Sequence, residues 1–175
     1  MLVVEGPDGA GKSTMVQFLT KTLGFPVEPK IVASDTTSTA NKKAWTEEQI
    51  NRGFGKRIYD RFCLISEPIY NSIMKPHPEP GYDDPAWMCP WTWRFYSQRP
   101  VIIWCMPALD IVKNNILQDE NNQVIVPYID KIYGAYAARM AMDLLLPSLA
   151  TVYDYQVDSA TAVLPIIQAR LEEWP

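Results

Sequence analysis

Gly6, Gly11, Lys12 and Ser13 stand at the spacing G-x-x-x-x-G-K-S within Gly6-Pro7-Asp8-Gly9-Ala10-Gly11-Lys12-Ser13. Residues of these types at this spacing form a phosphate-binding P-loop. Gly6, Gly9 and Gly11 let the backbone bend round a phosphate without side-chain clashes. Lys12 supplies a point charge for the β- and γ-phosphates, and Ser13 a hydroxyl ligand for Mg²⁺. The spacing therefore predicts an ATP site made of Gly6, Asp8, Gly9, Ala10, Gly11, Lys12, Ser13 and Thr14.

The second pair able to do chemistry is Asp60-Arg61, at the end of the strand candidate Arg57-Ile58-Tyr59-Asp60. An acidic side chain at a strand end beside a P-loop holds Mg²⁺, usually through water. The arginine next to it projects into the same crevice and can clamp a phosphate with two parallel hydrogen bonds. Lys12, Asp60 and Arg61 are the expected catalytic residues, with Ser13 and Asp60 on the metal.

These residues need elements to position them. Met1-Leu2-Val3-Val4 reads as a buried strand that delivers the chain to the loop. A helix is expected over 14–23, with Met15, Phe18, Leu19 and Leu23 on one side. A helix start leaves backbone N–H groups without partners, and its dipole favours negative charge. Val27 to Ala33 reads as a second strand, shortened by Pro29, with a polar loop over 34–40. Thr46-Glu47-Glu48-Gln49 is a capping box and predicts a short helix that Gly53 ends.

A third strand is expected over 57–60 and a helix over 63–74, before a loop rich in proline. Asp84 as cap with Pro85 at the first helical position opens the next helix. It carries Trp87, Trp91, Trp93 and Phe95, with Pro90 as a kink. Val101 to Met106 is the clearest buried strand. A helix from Pro107 to about Leu117, a polar connection over 118–123 and a helix over about 126–146 follow. A strand over 151–157 and a helix over 159–173 complete the chain. Strands alternating with helices predict a three-layer α/β domain over 1–175. About five parallel strands are covered by helices on both faces, with ligands at the C-terminal strand ends.

Composition narrows the function classes. The 175 residues are ordinary for one globular domain, with 47% hydrophobic and 21% charged. A net charge of −4 disfavours a broad electrostatic footprint for duplex nucleic acid. No apolar run reaches the ~18 residues of a membrane span, and the first strand begins at once, so neither a signal peptide nor a membrane partner is expected. Cys63, Cys89 and Cys105 read as free thiols of a cytoplasmic protein. The single histidine, His77, makes a Ser-His-Asp triad or a histidine metal site improbable.

The stretch Val4 to Thr14 resembles the opening of thymidylate kinases. Tyr59-Asp60-Arg61-Phe62, followed by Ser66 and Tyr70, resembles their aspartate-arginine segment. Arg99-Pro100 leading into Val101 to Met106 and Pro107 resembles their next strand and the start of the helix after it. Gly134-Ala135-Tyr136 resembles a further, weaker feature. The compact form is most similar to the thymidylate-kinase-like proteins of bacteriophages. The resemblance implies Mg²⁺-dependent transfer of the γ-phosphoryl of ATP to a deoxynucleotide, thymidylate first. A homodimer is compatible with the sequence.

Two departures stand against that pattern. The connection over 118–123 carries none of the lid arginines of those kinases, and the loop over 34–39 lacks their arginine after the second strand. Asp35 in that loop is a candidate base for an acceptor hydroxyl, with a turn aspartate as the alternative. Trp87, Trp91 and Phe95 share helical core spacing. Trp93, Arg94 and Arg99 are then the candidates for acceptor contact, with Asp35 and Arg61. The first rival is a phage kinase acting on a hydroxyl in DNA, at a hydroxymethyl pyrimidine or a polynucleotide end. The second is a nucleotide-binding regulatory NTPase, although no Asn-Lys-x-Asp guanine motif occurs.

Overall fold

Four short parallel strands carry the site. A computed structural model describes residues 1–29, 39–53, 55–74, 84–145 and 149–172. The strands are β1 (Leu2–Glu5), β2 (Ile58–Asp60), β3 (Val101–Cys105) and β4 (Leu149–Tyr153), in the order β2-β1-β3-β4. Val4 lies opposite Asp60 and Ile103, so the ends of β2 and β3 flank the end of β1. Every residue of β1, β2 and β3 is buried. Successive side chains on a strand point to opposite faces, so both faces of the sheet centre are covered.

The helices are α1 (Lys12–Leu23), α2 (Thr39–Asn51), α3 (Cys63–Met74), α4 (Pro85–Ser97), α5 (Leu109–Gln118), α6 (Ile129–Leu145) and α7 (Leu164–Leu171). Two 3₁₀ segments, Glu120–Tyr128 and Ala160–Val163, precede α6 and α7. Met15 and Leu19 of α1, Leu64 and Ile65 of α3, Val112 and Ile116 of α5, and Ile132 and Tyr136 of α6 fill the core. An aromatic cluster joins the sheet to α4, with Phe62 stacked on Phe95 at 4.8 Å between ring centres. No helix among the described residues is long and apolar enough to cross a membrane.

Among the described residues the sheet has four strands rather than about five. Val27 makes only an isolated parallel bridge to Ile58. Ile58 donates to the Pro26 carbonyl and accepts from the Glu28 N–H, at 3.0 and 2.9 Å. Pro26 has no N–H to extend the ladder backwards, and the expected strand's residues 30–33 lie outside the described ones. The residues from 30 to 38 lie outside the described ones, and Asp35 among them.

The expected capping box is not a helix start. α2 begins at Thr39, and Thr46 lies within it. The Thr46 hydroxyl donates to the Lys42 carbonyl one turn back, at 2.8 Å, so it serves the helix interior instead of opening it. The last strand is Leu149–Tyr153 instead of 151–157, α1 starts at Lys12 instead of 14, and α6 starts at Ile129 instead of about 126. Two boundaries stand as read. Asp84 caps α4 by accepting from the Ala86 N–H at 3.0 Å, with Pro85 in the first turn, and α3 spans 63–74. The polar connection after α5 is a 3₁₀ segment, and the last helix is split at Leu164.

Candidate functional site

The loop 6–11 leaves the buried end of β1 and turns directly into α1. Gly6 has φ +143°, and a Cβ there would lie 2.3 Å from the Cys105 carbonyl oxygen at the end of β3. Gly11, with φ +81°, is the residue before the helix, and no side chain caps α1. The first amides of α1 thus face outward for an anion, and the helix dipole adds to their pull. The Lys12 ammonium donates to the Pro7 carbonyl at 2.5 Å. Burial and the nearby Arg61 push Lys12 down to about 7, while Asp8 and Asp60 act to keep it charged. A bound phosphate would raise it again, because an anion favours the ammonium form.

A cleft of about 440 Å³ opens over this loop. Asp8, Gly9, Gly11, Lys12, Ser13 and Thr14 form its floor, and Arg61 stands at one side. Gly6 and Ala10 are buried beneath it.

Arg61 follows β2 immediately and adopts a left-handed φ of +70°, which is uncommon for a residue with a side chain. Its Nη2 donates to Asp8 Oδ1 at 2.5 Å and to the Tyr70 hydroxyl at 2.8 Å. The Tyr70 hydroxyl donates to Asp8 Oδ2 at 2.8 Å. The guanidinium also lies 4.9 Å from the Tyr70 ring centre. Burial opposes the Asp8 charge, but Arg61 and Lys12, with the hydrogen bond from Tyr70, hold its carboxyl below the usual range. Burial likewise opposes the Arg61 charge, and Tyr136, Tyr70, Asp8 and Glu5 around it outweigh that effect.

Asp60 is the last residue of β2, buried opposite Val4 and close enough to Lys12 to favour its charge. Ser13 lines the cleft floor. A hydroxyl and a carboxylate are all-oxygen donors, and that chemistry fits Mg²⁺, which also keeps several waters. No group of three or more His, Cys, Asp or Glu side chains forms a metal cluster among the described residues.

The far wall holds residues that no motif announces. Asn115 of α5 donates to the Gly9 carbonyl and to the Tyr155 hydroxyl, each at 2.7 Å. The Tyr155 ring packs on Gly11, where a Cβ would lie 2.9 Å from its Cδ1. Asp119 and Asn122 complete this wall. Tyr155 follows β4 and Asp119 follows α5, whereas Asn115 lies within α5 and Asn122 within the 3₁₀ segment, so no shared sequence signal marks them.

The candidate acceptor residues on α4 are not brought to the cleft. Trp93 is 72% exposed, and Arg94 lies over the Trp91 ring at 4.9 Å. Arg99, with φ +52°, sits in the turn before β3. None of the three lines the cleft. Phe95 is buried, and Trp87 and Trp91 pack against the core, in keeping with their helical spacing.

No protein-family model and no curated protein sequence matches the chain. Solved structures do. The YorR protein of Bacillus subtilis, in complex with phosphorylated GDP, superposes with a TM-score of 0.72 at 17% identity over 98% of this chain and 95% of that one. Deoxyadenosine kinase from M. mycoides, with products dCMP and a flexible dCDP bound, gives 0.61 at 15% identity over 98% of both chains. The same enzyme with dCTP gives 0.61 at 16% identity over 98% of this chain and all of that one. At these identities the likeness shows the fold alone, an α/β parallel sheet with helices.

Proposed function

We propose that this protein is a Mg²⁺-dependent phosphotransferase that moves the γ-phosphoryl of ATP to a deoxynucleoside monophosphate, thymidylate first. The observation that carries the reading is the meeting of Lys12, Asp8 and Arg61 in one cleft at the C-terminal edge of a parallel sheet. The triphosphate lies along the loop 6–13, held by backbone N–H groups and Lys12. Tyr155 offers an aromatic surface to the donor base, braced by Asn115. Ser13 and Asp60 hold Mg²⁺, which when bound neutralises charge on the β- and γ-phosphates. Arg61 exchanges its bond to Asp8 for a bidentate clamp on the acceptor phosphate or the transferred group. Such catalysis is mostly positioning and electrostatics, so few titrating side chains are needed.

The wall over 119–122 supports a second acceptor class. Lys12 and Arg61 are the cations among the described residues that line the cleft, and Asp119 and Asn122 line it with them. Fewer cations suit an acceptor that brings no phosphate of its own, namely a deoxynucleoside. The kinase fold neighbour with dCMP as a product is consistent with the nucleoside form.

An acceptor screen with γ-labelled ATP separates these classes. It compares deoxynucleosides, each monophosphate, and single- and double-stranded DNA with and without hydroxymethyl bases. Label in thymidine diphosphate supports the first reading; label only in DNA or only in nucleoside monophosphate replaces it.

A further inference from the structure

β1 reads Leu-Val-Val-Glu, and all four residues are buried. Glu5 is 0% exposed. A carboxyl in the central strand of a sheet is unfavourable unless it does something an apolar side chain cannot. Its Oε1 accepts from the Phe62 N–H at 2.6 Å. The preceding amide, Arg61 N–H, donates to the Val4 carbonyl at 2.9 Å. Two successive residues of β1 therefore hold two successive amides beyond β2, one through a backbone oxygen and one through a side chain.

The residue between those two anchors is Arg61, in its left-handed conformation. Such a conformation persists only where its surroundings over-determine it. The Val4 carbonyl alone continues the sheet ladder and would serve an extended Arg61 equally well. The Glu5 carboxyl makes the next amide turn. On the other side, the Phe62 ring is buried against Phe95, and the Phe62 carbonyl accepts from the Ile65 and Ser66 amides at the start of α3. Glu5 Oε2 and Arg61 Nε are both buried with no hydrogen-bond partner among the described residues, so the two side chains share no hydrogen bond; the structural link between them is the backbone turn, beside the through-space attraction of their charges.

We propose that Glu5 is the positioning residue for Arg61: by holding the Phe62 amide it fixes the left-handed turn that aims the guanidinium at the phosphate-binding loop. The inference rests on the reading of Arg61 as a phosphate ligand. Glu5 touches no substrate and acts only through Arg61.

The test is a double-mutant cycle of Glu5→Leu and Arg61→Ala, read on the affinity for inorganic tripolyphosphate, which needs neither acceptor nor turnover. Glu5→Leu should weaken binding about tenfold while Arg61 is present and less than about twofold once Arg61 is alanine. Glu5→Gln keeps an acceptor oxygen and should bind within about threefold of wild type. Hydrogen exchange at the Phe62 amide should be slow in wild type and Glu5→Gln and at least about tenfold faster in Glu5→Leu. If the leucine variant does not fold, Glu5→Met repeats the cycle. Additive losses, or unchanged protection of Phe62, would overturn the positioning role and leave the kinase reading intact. Coupled losses in a protein that phosphorylates no nucleotide, nucleoside or DNA would defeat the kinase reading and leave the positioning role standing.

Discussion

Arg61 and Asp8, 53 residues apart in the chain, share a 2.5 Å hydrogen bond between guanidinium and carboxylate. The bond ties the residue after β2 to the phosphate-binding loop. It also presents the guanidinium as a flat fork, and a lysine has no such fork. Arg61→Lys keeps the charge and should lower phosphoryl transfer roughly 10²-fold while ATP affinity falls no more than about tenfold. Steady-state kinetics with a parallel binding titration checks this. Turnover near wild type would take Arg61 out of the catalytic set.

Tyr155 is expected to matter for the donor and not for the acceptor. Its ring lies against Gly11 and its hydroxyl is held by Asn115. Loss of a stacking surface is worth about 1–3 kcal/mol per base, so Tyr155→Ala should raise the ATP dissociation constant about tenfold or more. Tyr155→Phe should stay within about threefold, because it keeps the ring. Equal affinity in the wild type and the alanine variant would place the donor base elsewhere.

Gly6 and Gly134 make opposite predictions for one substitution. A Cβ at Gly6 would press on the Cys105 carbonyl at 2.3 Å, whereas one at Gly134 in α6 meets nothing within 4 Å. Gly6→Ala should cost more than about 2 kcal/mol of stability, through strain against a backbone atom. Gly134→Ala should add about 0.5–1 kcal/mol, by restricting the unfolded chain and favouring helix. Chemical denaturation measures both; a stable Gly6→Ala protein would mean that the loop does not leave β1 as described.

The buried Glu5 carboxyl gives a pH signature. Burial pushes it up to about 7 from 4.5, against the pull of the Phe62 N–H and of Arg61 and Lys12. Between those values the folded protein keeps a proton that the unfolded chain has released. Glu5 therefore contributes less stability as pH rises through that window, and its cost is fully in place above about 7. Glutamine carries no such proton. The stability of Glu5→Gln relative to wild type should accordingly increase from pH 4.5 to pH 7, as read from urea denaturation at fixed ionic strength. A flat difference would show that Glu5 ionises as freely when folded as when unfolded.

What could be read from the sequence was what local spacing encodes. Gly6 to Ser13 defines its own turn, and Asp60-Arg61 follows an apolar strand, so the cleft floor and one side were legible. Asp84-Pro85 carries its cap chemistry in two adjacent residues. The far wall was not legible, because Asn115 and Tyr155 meet only when α5 and the segment after β4 reach the same sheet edge. Thr46 misled because a threonine three residues before Gln49 has the capping pattern whether it opens a helix or bonds back within one. Val27 reads as a strand because β-branched residues favour pairing, but among the described residues it makes one bridge, and Pro26 before it has no N–H to offer. Glu5 was visible only as part of a family-like string, since its role depends on an amide that follows it by 57 positions.

The central claim is that the loop 6–13 binds a phosphoryl donor for transfer to a free nucleotide. Lys12 is buried in that loop and its ammonium is spent on a loop carbonyl, so Lys12→Ala removes charge from the cleft without opening the core. The most direct measurement is label transfer from γ-labelled ATP to thymidylate by wild type and by folded Lys12→Ala under identical Mg²⁺. The account predicts labelled thymidine diphosphate from the wild type and a rate at least about 10²-fold lower from the variant. Equal transfer by both proteins, or none by the wild type to any free monophosphate, would contradict it.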